Sequence, residues 1–195
     1  MKRAFNFGAG PAALPVSVLE RIREELLDWH GSGMSVMEMS HRSPQFESIN
    51  AATEAAIRKQ LDVPDDYAVI FVQGGGSMQF TMVPTNLYLP GKPVDVLHTG
   101  TWTAKALQEL KKGIPHRIAA STEAQRFTRI PRADEIALSP DASYVHLCSN
   151  NTIEGTQWQL FPDTGGVALV TPVPRPELDL HEEHAENGDG KPKIV

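Results

Sequence analysis

The chain has 195 residues and a formal net charge of −6 at pH 7, from 18 basic and 24 acidic side chains. This balance excludes a general electrostatic attraction to nucleic acid or to anionic membranes. Cys148 is the one cysteine, so a disulfide framework is excluded and a reducing compartment is expected. Since no apolar run reaches the length of a signal peptide, or the ~20 residues that span a bilayer, we expect a cytoplasmic protein.

The first third of the chain predicts two helices joined by a polar loop. The first helix begins at Pro15, and we expect Gly31 to end it. The loop, Ser32–Arg42, is dense in methionine and hydroxyl groups and closes on a His-Arg pair. Ser43 followed by proline then provides an N-cap and a first helical residue for the second helix, which Pro64 ends.

From Tyr67 onward, strands and helices alternate along the chain. Apolar runs predict four strands, and the segments between the first three predict helices over Met78–Tyr88 and from Gly100 to Gly113. Such spacing implies right-handed crossovers, and therefore an α/β fold with a mostly parallel sheet and flanking helices. The four predicted strands are Tyr67–Val72, Val94–Thr99, His116–Ala120 and Tyr144–Cys148.

The segment Gly74–Ser77 follows the first predicted strand and is the candidate phosphate site. Glycine permits positive φ and brings backbone N–H groups toward a ligand, and the helix N-terminus behind them favours an anion. We expect Ser77 to cap that helix. The glycines alone are equally consistent with a tight turn, but Gly100–Trp102 and Ser149–Thr152 follow two other strands. Because ligands bind beyond the carboxyl ends of parallel strands, this convergence favours a binding site.

After Gly165 the composition changes. The segment Thr171–Val195 is rich in proline and charge and nearly free of large apolar side chains. Such a segment cannot bury enough surface to offset its ordering entropy. We therefore predict one folded region, residues 1–170, followed by a disordered tail over residues 171–195.

Five motifs together give the chain its resemblance to a known family. In order and spacing they resemble the phosphoserine aminotransferases, fold-type I pyridoxal-phosphate enzymes of serine biosynthesis, over residues 4–170. The resemblance implies amino transfer between glutamate and 3-phosphohydroxypyruvate to give phosphoserine, in a homodimer, by an incomplete fold-type I large domain. The motifs are Phe5–Pro15, Ser35–Arg42, Gly74–Ser77, Gly100–Trp102 and Ser149–Gly155.

The resemblance also implies roles for individual residues. Gly76 and Ser77 are similar to the pair whose backbone holds the phosphate of pyridoxal 5'-phosphate, although many relatives carry arginine at the position of Ser77. Trp102 resembles the residue stacked on the pyridine ring, where an indole face suits an offset contact. Thr152 resembles the hydroxyl that hydrogen-bonds the cofactor. Taken without the resemblance, a lone tryptophan is more typical of a core and Thr152 of a turn.

Arg42, with His41 beside it, resembles the clamp for the substrate's anionic groups. A guanidinium can grip a carboxylate or a phosphate with two parallel hydrogen bonds, which suits substrates of both kinds. Without the resemblance, the pair would be interpreted as a solvated surface. No residue is assigned to a metal.

The chain departs from the family after Phe161–Thr164. The resemblance implies an aspartate for the pyridinium nitrogen and then a Schiff-base lysine, but here the aspartate position is lost. No lysine occurs between Lys112 and Lys191, and Lys191 lies in the polar tail. A Schiff-base lysine needs a desolvated, fixed setting. We therefore assign no catalytic residue, and we expect a truncated chain that is inactive alone.

Two other functions remain open at this stage. The chain is also consistent with a non-catalytic module that binds phosphate or pyridoxal phosphate, which the missing lysine favours. Another fold-type I enzyme, a different aminotransferase or a desulfurase, is the third possibility. The His41–Arg42 pair favours phosphoserine aminotransferase over that third possibility, because it fits a substrate with a distal anion.

Overall fold

The computed structural model describes residues 3–8, 10–171 and 193–194. They belong to two compact units, Met1–Pro64 and Asp65–Val195. In these ranges no helix is long and apolar enough to cross a membrane. The helices are α1 Val16–Glu25, α2 Pro44–Leu61, α3 Gly75–Leu87 and α4 Thr101–Leu110, and the strands are β1 Tyr67–Ala68, β2 Val94–His98, β3 His116–Ser121, β4 Tyr144–His146, β5 Asn150–Asn151, β6 Thr156–Gln157, β7 Leu169–Val170 and β8 Lys193–Ile194.

The first unit holds α1 and α2. Helix α2 begins as predicted: Pro44 is its first residue, and the Ser43 hydroxyl accepts the Phe46 N–H at 3.3 Å. Helix α1 ends at Glu25, so the prediction that it continues to Gly31 is wrong. The following residues instead close their own turn, in which the Trp29 N–H donates to the Met34 carbonyl at 3.0 Å.

The loop between α1 and α2 contains one short 3-10 turn, Val36–Glu38. Ser35 caps it, because its hydroxyl accepts the Met37 N–H at 3.3 Å while the Glu38 carboxylate accepts the Ser35 N–H at 2.9 Å. This reciprocal pairing is a capping box, which holds a short turn that propensity alone would not. The chain therefore enters the His41–Arg42 segment from a fixed turn.

The second unit is built on a four-stranded sheet of order β3-β2-β4-β7, in which every pair is parallel. This confirms the predicted α/β class. Strand β2 is buried along its whole length, and β4 likewise, so that Val94, Val96, Leu97, Tyr144 and Val145 form the core. Strand β7, at the edge of this sheet beside β4, was not predicted, because two residues are too few to show an alternating pattern.

The predicted strand Tyr67–Val72 is largely wrong. Only Tyr67–Ala68 forms a strand, paired in parallel with Lys193–Ile194. Ile70, Phe71 and Val72 are 49%, 53% and 50% exposed. An apolar run becomes a strand only where a neighbour takes its backbone hydrogen bonds, and none of the described residues does so for this segment.

Most of the predicted disordered tail, residues 172–192 and 195, lies outside the described residues. At its start, the Thr171 hydroxyl accepts the Ser149 N–H at 3.3 Å. The boundary between residues 170 and 171 stays a prediction.

Candidate cofactor site

Helix α3 begins with an open N-terminus. Gly74 is its N-cap with φ +99°, and no side chain in the described part of the chain caps the helix. A Cβ on Gly74 would come within 2.5 Å of Met78 Cβ, so glycine is required there. Apart from their chain neighbours and the backbone of α3 itself, none of the described residues has an atom within 4 Å of the Cβ position of Gly75 or of Gly76. These two glycines therefore border open space at the positive end of a helix, which is the arrangement that suits a phosphate.

Ser77 is the third residue of α3 and not its cap, so that prediction is wrong. The helix starts two residues earlier than Ser77 because Gly74 adopts the left-handed conformation that turns the chain. Among the described residues, no acceptor is found for the N–H groups of Gly75, Gly76 or Ser77, whereas the Met78 N–H donates to the Gly74 carbonyl. The first-turn donors that an anion needs are thus still available.

Helix α4 begins quite differently, since its N-terminus is already occupied. Glu154 Oε1 accepts from both the backbone N–H and the hydroxyl of Thr101, each at 2.7 Å. The buried Thr103 hydroxyl accepts the N–H groups of Thr99 and Gly100 at 3.1 Å. The Glu154 carboxylate thus occupies the position at the N-terminus of α4 where an anionic ligand would otherwise bind. Of these two helix starts, only that of α3 can receive a phosphate.

Trp102 and Thr152 meet although 50 residues separate them. Trp102 Nε1 donates to Thr152 Oγ1 at 3.1 Å. Lys105, one turn further along α4, places its Nζ 4.6 Å from the centroid of the Trp102 ring, within the range of a cation–π contact. The indole N–H is therefore bound by Thr152, and the indole ring contacts the ammonium group of Lys105. The structure brings these two predicted residues together, as expected for residues that follow two strand ends.

The segment that carries Thr152 is tied to the end of β2. Its turn is closed by the Gly155 N–H, which donates to the Asn151 carbonyl at 2.8 Å. Asn151 is fully buried; its Oδ1 accepts the Thr99 hydroxyl at 3.2 Å and its Nδ2 donates to Thr156 at 3.0 Å. The motif Ser149–Gly155 was recognisable in the sequence, but the roles of Asn151 and Glu154 within it were not, because their partners Thr99 and Thr101 lie about 50 residues away.

Two buried residues stand beside this segment. Cys148 immediately precedes it; the Sγ donates to the Asn150 carbonyl at 3.3 Å, and burial raises the pKa of the thiol. His98 ends β2, where its Nδ1 lies 2.8 Å from the Thr103 hydroxyl and burial lowers the pKa of the imidazole. Burial therefore favours the neutral form of both groups.

Arg42 and His41 lie in the other compact unit, between the capped 3-10 turn and α2. The Arg42 N–H donates to the Ser40 hydroxyl at 3.2 Å, which fixes the backbone of this turn. Both side chains are exposed, and no described residue provides an acceptor for the Arg42 guanidinium. The guanidinium is thus free to bind an external anion.

Comparison with known proteins decides the family. The aminotransferase class-V profile matches residues 4–168, which is most of the chain. The chain belongs to the aminotransferase class-V family. Relatives in this family include the phosphoserine aminotransferases of Syntrophobacter fumaroxidans, 50% identical over 171 residues, and of Desulfosudis oleivorans, 52% identical over 171 residues.

Solved structures of phosphoserine aminotransferases share the fold. The chain superposes on phosphoserine aminotransferase from Bacillus circulans subsp. alkalophilus with a TM-score of 0.82 at 47% identity. It superposes on the PLP-bound phosphoserine aminotransferase of Trichomonas vaginalis with a TM-score of 0.80 at 40% identity. These matches cover 86% of the chain in each case and 46% and 47% of those structures, and the two curated relatives are covered to 47%. The chain thus spans about half the length of the relatives it matches.

Proposed function

We propose that this chain provides the cofactor-binding half of a phosphoserine aminotransferase, which transfers an amino group between glutamate and 3-phosphohydroxypyruvate to give phosphoserine in serine biosynthesis. The observation that carries the proposal is the pairing of Trp102 with Thr152 in the unit that also holds the open α3 N-terminus. Relatives about half identical to the chain and named for this activity support it.

The described residues fit pyridoxal 5'-phosphate. The backbone N–H groups of Gly76 and Ser77 would hold the phosphate, and the indole of Trp102 would stack on the ring. Thr152 Oγ1 already accepts from Trp102, so its own proton remains available to a cofactor oxygen. When bound, the cofactor acts as the electron sink for amino transfer. The chain's residues bind and orient it.

The substrate assignment rests on Arg42 and His41. A guanidinium without a protein acceptor in the described ranges can take a carboxylate of glutamate or the phosphate of 3-phosphohydroxypyruvate bidentately. A planar guanidinium can donate two parallel hydrogen bonds, which the ammonium group of lysine cannot. Arg42→Lys should therefore weaken the binding of both substrates although it keeps the charge. Binding of phosphoserine to the wild-type chain and to this variant, measured by calorimetry, tests the assignment. Equal affinity for both proteins would contradict it.

The proposed assembly is a cytoplasmic homodimer. Support comes from apolar side chains exposed in the first unit, among them Phe5 and Phe7, which are 88% and 92% exposed, and Ile22 and Leu27 of the α1 region, which are 49% and 83% exposed. No residue of α1 is buried. Exposed apolar surface of this extent favours a protein partner, and we take a second copy of the chain to be that partner. Light scattering after size exclusion should give twice the monomer mass of 21.4 kDa; the mass of a monomer would contradict the assembly.

Two variants test the cofactor site, with inorganic phosphate and pyridoxal phosphate as separate ligands. Gly75 has φ +57°, so Gly75→Val should abolish binding of both ligands, since a β-branched residue resists that conformation and blocks the approach to the backbone. Trp102→Ala should weaken pyridoxal phosphate about tenfold and leave phosphate unchanged, because stacking acts only on the ring. Amide shifts at Gly75–Ser77 report both titrations. Absent shifts at millimolar phosphate, or equal weakening of both ligands by Trp102→Ala, would overturn the assignment.

A binding module without catalysis is the second candidate. It is favoured by the absence of any lysine between Lys112 and Lys191. The chain is then expected to release pyridoxal phosphate on dialysis and to show no amino transfer from glutamate. An absorbance band of the bound cofactor that survives dialysis, and that is lost on replacing a single lysine, would exclude this candidate.

A further inference from the structure

Among the described residues, Glu154 makes the shortest hydrogen bonds between the Thr152 segment and α4, and neither of them is to Trp102 or Thr152. Its Oε1 accepts two hydrogen bonds at 2.7 Å, both from Thr101, which immediately precedes Trp102. Its Oε2 is buried and has no donor among the described residues. A carboxylate that accepts a helix N-terminal N–H is a charge-assisted contact, and such contacts are stronger than neutral ones.

Gly100 shows how closely this carboxylate is seated. A Cβ on Gly100 would lie 2.5 Å from Glu154 Oε2 and 2.6 Å from its Cδ. The backbone of Gly100 has φ 160°, an extended value open to any residue, so backbone conformation does not demand glycine there. A side chain at position 100 would therefore meet the carboxylate of Glu154 and displace it.

Two contacts bracket Thr152 and tie it to the residues on either side of Gly100. Asn151 is bonded to Thr99, and Glu154 is bonded to Thr101. If the second contact is lost, α4 loses its cap and the turn that carries Thr152 loses one of its two anchors. The hydrogen bond between Trp102 and Thr152 lies between these anchors.

We propose that Glu154 is a positioning residue: its carboxylate caps α4 against Gly100 and thereby fixes the indole of Trp102 on Thr152. The part of this proposal that concerns the cofactor ring rests on the proposed function. Loss of Glu154 should loosen ring binding while the N-terminus of α3, which holds the phosphate, is left intact.

The test is a double-mutant cycle in the full chain, followed by the NMR resonance of the Trp102 indole N–H. This resonance is assigned by its loss in the Trp102→Phe variant. Glu154→Ala and Gly100→Ala should each shift that resonance, the second by displacing the carboxylate. In the Glu154→Ala background, Gly100→Ala should add little further shift, because the three atoms nearest its Cβ, namely Oε2, Cδ and Oε1 of Glu154, are then absent. Glu154→Gln keeps an acceptor oxygen in the same shape and should restore most of the wild-type resonance. Glu123→Ala, which removes an exposed carboxylate elsewhere in the same unit, is the matched control.

Ligand titrations separate positioning from general stability. Glu154→Ala should weaken pyridoxal phosphate about tenfold while inorganic phosphate, followed at the Gly76 and Ser77 amides, stays within about twofold. An unchanged Trp102 resonance in Glu154→Ala, or an equal effect of Gly100→Ala with and without Glu154, would overturn the proposal, as would equal weakening of both ligands. If the resonance shifts but Trp102→Ala leaves pyridoxal phosphate binding unchanged, the proposed cofactor role fails and the positioning of Trp102 by Glu154 stands.

Discussion

His146 should make the fold sensitive to mild acid. The imidazole lies on β4, is 3% exposed, and contacts Phe80 edge-on with ring centroids 6.3 Å apart. Its Nε2 has no hydrogen-bond partner among the described residues, and burial lowers the pKa of the group from 6.5 to about 4. Between pH 6.5 and about pH 4, His146 is therefore protonated in the unfolded chain and neutral in the folded chain. The free energy of unfolding consequently falls as the pH falls through this range.

The magnitude follows from the same two pKa values. Each pKa unit is worth about 1.4 kcal/mol, so complete titration removes roughly 3 kcal/mol, of which about 2 kcal/mol is lost between about pH 7.5 and pH 5. Urea unfolding at both pH values measures this loss. His146→Leu has no proton to bind and leaves no unpaired nitrogen, so its pH dependence should be smaller by about 2 kcal/mol. His30→Leu, which removes an exposed imidazole, is the control; equal acid sensitivity of wild type and His146→Leu would refute the reasoning.

Two further predictions concern stability and are measured by the same urea unfolding. Ser43→Ala removes the hydroxyl that caps α2 and should destabilise the fold by about 1 kcal/mol, whereas Ser43→Asn, which can still cap, should remain close to wild type. Asp95 is fully buried, pairs with Arg117 and accepts the Ser139 hydroxyl at 3.2 Å. Asp95→Ala should destabilise the fold by roughly 3 kcal/mol, since buried donors lose their acceptor; a loss below that of Ser43→Ala would contradict this account.

Local signals were the predictable part of this structure. Ser43 followed by proline specified the start of α2, and the buried run from Val94 specified a central parallel strand, because each effect acts over a few neighbouring residues. The strand predicted to reach Val72 failed for the opposite reason. Its hydrogen bonds depend on a neighbouring strand, which an apolar pattern cannot provide.

The candidate site divides in the same way. Gly76, Ser77, Trp102 and Thr152 could be named from their motifs, and the meeting of Trp102 with Thr152 agrees with the rule that ligands bind beyond strand ends. The role of Glu154 could not be predicted. It depends on a contact across 53 residues and on the missing Cβ of a glycine, neither of which has a local pattern.

Cys148 is an intrinsic probe for local unfolding, because its buried thiol can react with a labelling reagent only when the surrounding structure opens. It is the one thiol in the chain, it is fully buried, and it immediately precedes the segment that carries Thr152. Since a thiol reagent needs an accessible thiolate, the labelling rate at Cys148 reports how often the structure next to the candidate cofactor site opens. A ligand that binds the closed form must slow that rate in proportion to its occupancy. Because this chain carries a single thiol, binding can be followed by mass, one added label per molecule, without any introduced group.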